Sequence, residues 1–134
     1  MRGAAVVEFA LAWPVALLLV LGSVELAVWG AESFAVRAAA LAGARAASVA
    51  GGGPQAAVAV TLRALTPSLI GAQAASWCPG QIGQRPAVWV CASELGSAVQ
   101  VDVGGSGPTL VPIGPEGGLP LHAHVVLQKE AFAK

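Results

Sequence analysis

Residues 9–24 read FALAWPVALLLVLGSV, an unbroken run without a charged side chain. After Glu25 the apolar character resumes as far as Ala31. The span from residue 4 to residue 29 therefore covers the roughly 20 residues that a helix needs to cross the hydrocarbon core of a bilayer. Trp13 and Trp29 stand toward its two ends, where aromatic anchors are common, and Arg2 is the only basic residue before it. By the positive-inside rule this places the N-terminus in the cytoplasm. A secretory signal peptide has a similar outline, but Glu8 sits at the front of the run and helical character continues without a break through AESFAVRAAALAGARAASVA.

Composition supports a chain that does not cover its own apolar surface. Of 134 residues 56% are hydrophobic and 10% charged, against about 25% charged in a soluble domain; the mean hydropathy is +0.73. Seven Lys and Arg balance seven Asp and Glu, which argues against nucleic acid as a partner, since phosphate binding draws on an excess of basic side chains. The excess apolar surface is expected to lie in lipid or against neighbouring subunits.

Residues 4–50 read as one helix, about 70 Å long at 1.5 Å per residue. Its first half is membrane-spanning. Its second half carries Glu32, Ser33, Arg37 and Arg45 and is amphipathic. Pro14 lacks a backbone donor and is expected to kink it. Ala27, Ala31, Ala35, Ala39, Gly43 and Ala47 recur every fourth residue, a small-residue stripe that lets another element approach closely. Gly51, Gly52, Gly53 and Pro54 end the helix.

Glu8 is the informative charge. A carboxylate in an apolar segment costs about 2.5–3.5 kcal/mol on insertion scales and usually has a partner. If the chain is cut after Gly3, Ala4 carries a free ammonium one helical turn from Glu8, on the same face, and the acid neutralises that end or the end of an adjacent copy. The competing reading puts Glu8 at the membrane surface, in a first helical turn that favours acids.

The sequence RGAAVVEFALAWPVALLLVLGSVELAVWG resembles the N-terminus of TadE-like minor pilins of the tight-adherence (Tad, or Flp) type IV pilus system. The shared features are Arg2, Gly3, Glu8, Phe9, Pro14, Gly22 and Glu25, over about the first 50 residues. The resemblance implies a leader of residues 1–3 that prepilin peptidase cuts between Gly3 and Ala4. It also implies a helix that assembles through Glu8 and Phe9, with its kink at Pro14. The partners it implies are other pilin subunits, prepilin peptidase, the assembly platform in the inner membrane and, before assembly, the membrane itself. A major Flp pilin is much shorter, mostly one helix, so an appended domain fits a minor pilin. Adhesion, surface sensing or DNA uptake are the uses of such a filament, and the cell surface its destination. The other class of function considered is a single-span, membrane-anchored extracytoplasmic binding protein outside any filament.

Beyond Gly53, Pro54 opens a second helix, QAAVAVTLRAL, with Val58, Leu62 and Leu65 on one face, ending before Pro67. Residues 87–92, AVWVCA, are rich in β-formers. Val99, Val101 and Val103 alternate with polar positions, and Leu121, Ala123, Val125 and Leu127 alternate again, with His122 and His124 on the opposite face. Residues 104–108 read as a flexible turn, 109–113 as a short edge strand holding Pro112, and 113–120 as a loop. The expected fold is α+β: a long N-terminal helix, a short helix and a small antiparallel sheet of three or four strands, with residues 51–134 forming an extracytoplasmic domain.

Cys78 and Cys91 are the only cysteines. In a loop-rich exported domain a disulfide is preferred over a zinc site or free thiols, because C-x12-C with H-x-H is unlike a zinc finger. Trp77 and Trp89, beside the cysteines, are expected to cover it. The sequence carries no nucleophile elbow, P-loop, dinucleotide fingerprint or H-E-x-x-H. No catalytic residue, metal site or cofactor is assigned, and the function expected is structural rather than enzymatic.

Overall fold

A computed structural model describes residues 3–49, 51–109 and 118–130. The elements run α1 (Gly3–Ser48), α2 (Pro54–Leu65), β1 (Ala74–Ser76), β2 (Val88–Leu95), β3 (Ala98–Pro108) and β4 (Gly118–Gln128). α1 continues through Pro14 as one helix. Pro54 stands in the first turn of α2, where its missing N–H goes unused.

The four strands lie in the order β1-β2-β3-β4. β2, β3 and β4 form the antiparallel ladder that the alternating valines predict. β1 is added parallel to β2, with Ala75 opposite Trp89, so the sheet is mixed rather than wholly antiparallel. The physical reason is the irregular connection from Trp77 to Ala87, which returns the chain to the same end of the sheet.

The core lies between the inner face of the sheet and the two helices, a two-layer arrangement. Val88, Val90, Val99, Val101, Val103, Leu121 and Ala123 point inward, against Val36, Ala40, Ala44 and Ala47 of α1 and Ala57 and Leu65 of α2. On α2 the fully buried line is Ala57, Thr61 and Leu65, with Val58 and Leu62 half-buried beside it.

The small-residue stripe is used only in its second half. Ala39, Gly43 and Ala47 are buried, whereas Ala27 and Ala31 are exposed. A Cβ at Gly43 would overlap the Thr61 hydroxyl and come 2.7 Å from the Ala57 carbonyl, so glycine there sets how closely α1 and α2 approach.

The turn expected over residues 104–108 is strand. β3 runs on to Pro108, and its glycines serve close approach instead of a reversal. A Cβ at Gly104 would come 2.5 Å from the Trp89 ring, and one at Gly107 would come 2.5 Å from Glu32 Oε2. The loop read over 113–120 likewise gives way to strand from Gly118. Residues 110–117, which hold the rest of that loop and most of the expected edge strand, lie outside the described residues, as do Met1 and Arg2.

Candidate functional site

From Val6 to Val24 the residues of α1 are exposed, and only toward Leu18, Leu19, Gly22 and Ser23 does this stretch border the domain, across a pocket from Leu119 of β4. Its large apolar side chains face outward, among them Phe9 (67% exposed), Leu18 (67%) and Leu19 (70%). Among the described residues this is the one helix long and apolar enough to cross a membrane. Glu8 is exposed on this segment and makes no ion pair among the described residues. Phe9 stacks on Trp13 one turn later, with ring centroids 6.0 Å apart. A Cβ added at Gly3 or Gly22 would meet nothing within 4 Å. The exposed segment therefore offers lipid, or other helices, a continuous apolar surface bearing one carboxylate.

The helix meets the domain through three side chains at helical spacing: Glu25, Trp29 and Glu32. Both acids point inward, at 8% and 2% exposure. Glu32, one of the polar residues of the amphipathic half in the sequence, is turned into the domain. Glu32 Oε1 accepts the backbone N–H of Ile70 at 3.1 Å, and Gly107 leaves room for its other oxygen. A buried carboxylate needs such donors to offset its lost hydration. Trp29, read from the sequence as a membrane anchor, instead donates its indole N–H to the Pro120 carbonyl at 3.0 Å. Glu25 borders a cavity of about 270 Å³ that Val28, Ile70, Gly71, Pro108 and Thr109 also line. The sequence signal for this seat is the seven-residue interval between the two acids, which puts them on one helix face.

On the far side of the sheet Cys78 and Cys91 are joined in a disulfide, with their Cα atoms 4.9 Å apart. It ties the irregular 77–87 connection to the middle of β2. Trp77 and Trp89 meet edge to face at 5.9 Å, and the Arg85 guanidinium lies 5.8 Å from the Trp89 ring centroid. Both indole N–H groups are buried without a hydrogen-bond partner. His122 and His124 share this face as expected, both exposed, and His124 Nδ1 lies 2.5 Å from Asp102 Oδ1 on the neighbouring strand. Among the described residues no three His, Cys, Asp or Glu side chains converge to hold a metal ion.

A single long helix, apolar in its first half and built into a small mixed-sheet domain in its second, defines a class: a rod with an appended head, whose first half is long and apolar enough to serve as a membrane anchor. The comparisons carry this further. The family model described as TadE-like protein matches residues 3–45, nearly all of α1, so the resemblance drawn from the N-terminal residues is borne out over that segment. The match supports a protein associated with a Tad pilus. No curated protein and no solved structure matches the chain.

Proposed function

We propose that the chain is a structural minor pilin of a Tad-type pilus. It inserts in the inner membrane through the first half of α1, with the N-terminus in the cytoplasm, is cut between Gly3 and Ala4 by prepilin peptidase, and enters or initiates a filament by helix packing. The observation that carries the reading is the segment from Val6 to Val24, exposed residue by residue within a stretch that matches the TadE-like family.

The physics of assembly follows from that surface. Moving the segment from lipid into a bundle of like helices exchanges one apolar environment for another, so van der Waals packing and specific polar contacts decide the outcome. Glu8 supplies the polar contact: in a bundle it faces the ammonium of a neighbour's Ala4. A paired charge is far cheaper in an apolar surrounding than a lone one. Phe9 packs beside it, and Pro14 gives the rod a point at which to bend. The head remains on the outer side, held by Glu25, Trp29 and Glu32.

The test is incorporation. In cells making the pilus, Gly3→Ala is expected to leave an uncut, membrane-bound precursor. Glu8→Ala is expected to be cut yet absent from sheared filaments. Filaments containing both variants at normal levels would contradict the mechanism. Membrane retention of the unaltered chain, uncut and with no filament fraction, would favour an anchored extracytoplasmic binding protein.

A further inference from the structure

The edge of the sheet at β4 carries a second inference. Ser106 N–H donates to the Ala87 carbonyl at 2.9 Å, and Lys129 N–H to the Ser97 carbonyl at 2.7 Å. With the antiparallel registers these bonds fix the alternation: odd-numbered β4 residues turn their backbone groups to β3, and even-numbered ones turn theirs to the open edge. At the two ends the open edge is taken up by α1. Pro120 has no N–H and its carbonyl accepts from Trp29, while Glu130 N–H donates to the Ser48 carbonyl at 3.0 Å. Between them the edge-facing backbone groups of His122, His124, Val126 and Gln128 have no partner among the described residues.

α1 runs alongside β4 in the same direction, since Trp29 touches one end of the strand and Ser48 the other. A groove of about 480 Å³ separates them, lined by Arg37 and Leu41 on the helix and by residues 122–125 on the strand. An open strand edge beside a helix is the geometry that binds extended peptides by strand addition, where main-chain hydrogen bonds supply affinity and the flanking side chains select.

We propose that this groove receives an extended segment of a partner protein, added as a strand to β4, with an acidic side chain directed at Arg37. Charge selects the occupant. Arg37 is exposed on the helix wall, while the nearby acids are engaged elsewhere: Glu32 with Ile70 and Asp102 with His124. The open stretch from His122 to Gln128 is about 20 Å long at 3.4 Å per residue, room for a segment of about seven residues. The inference does not depend on the filament reading, because the groove belongs to the head alone.

The full chain in detergent micelles is to be titrated with the peptide acetyl-TVTVEVT-amide, with its Glu-to-Lys counterpart, and with the Glu peptide N-methylated at alternate amides. The Glu peptide is expected to bind at least about tenfold more tightly than either control, since each loses a charge-assisted contact or several hydrogen bonds. Binding should slow amide exchange at His122, His124, Val126 and Gln128. Arg37→Glu should reverse the charge preference, and Val126→Pro, which removes an N–H that the fold leaves unused, should abolish binding. Affinity indifferent to N-methylation or to peptide charge would overturn the proposal. So would unchanged exchange at those amides, or self-association of the chain through this edge that the Glu peptide does not compete away.

Discussion

Glu32 Oε1 accepts the Ile70 N–H at 3.1 Å, which ties the middle of the 46-residue helix α1 to the turn that follows α2. With Trp29 on Pro120 and Glu25 one further turn down, this bond sets where the rod leaves the head. Its position decides which part of α1 stays exposed and which part is core.

Removing that carboxylate is expected to loosen the head. Glu32→Ala leaves the Ile70 N–H without its acceptor in a partly buried site, at a cost of about 1–3 kcal/mol. Glu32→Gln keeps an acceptor oxygen and should lose much less. Thermal unfolding of the two variants in micelles checks this: equal melting temperatures would mean that the bond contributes nothing specific.

Gly43 marks the closest approach of α1 and α2. Gly43→Val is expected to destabilise the head by about 1–3 kcal/mol or more, because its side chain overlaps Thr61 and the Ala57 carbonyl. Gly22→Ala, where the added carbon meets nothing within 4 Å, serves as the control and should leave the unfolding transition unchanged.

The Cys78–Cys91 disulfide closes a loop of 13 residues' separation. Its loss in Cys78→Ser/Cys91→Ser is expected to cost about 3 kcal/mol by the chain-entropy estimate. The loss should be felt first at β1, which pairs with β2 over only three residues. Amide exchange should accelerate at Ala74–Ser76 and Trp77 while β3 and β4 stay protected. Uniform loss of protection across the sheet would show that the staple supports the whole head.

Much of this architecture is legible in the residues. The uncharged run fixes the rod, Gly51–Pro54 ends it, and the valines at 99, 101 and 103 declare a half-buried strand because side chains alternate with period two. The glycines of 104–107 mislead, since a cluster of Gly with Ser and Pro reads locally as a turn. Their actual cause is tertiary: an indole and a carboxylate brought from elsewhere in the chain need the space. Glu25 and Glu32 are hidden for the same reason. A charge on an amphipathic helix is assigned to solvent unless its donors are known, and Ile70 lies 38 residues away. β1 is too short, at three residues, to carry a periodic signal, and it exists because β2 and the disulfide hold it in place.

The proposed assembly residues Glu8 and Phe9 come from spacing and family likeness alone, and both are exposed in the fold. Phe9→Ala is expected to leave head stability unchanged, as its side chain is 67% exposed and stacks on Trp13 of the same exposed stretch. Its effect should appear instead as reduced recovery of the chain in sheared filaments. A lowered melting temperature of the isolated chain would show that the segment folds back on the head.

The account rests on a new amino end facing Glu8. Mass spectrometry of the N-terminal peptide, taken from chain recovered in the sheared filament fraction, tests it most directly. The predicted result is a peptide beginning at Ala4. A filament-borne chain that still carries Gly3 and the residues before it would contradict the account, because no ammonium would then stand one helical turn from that acid.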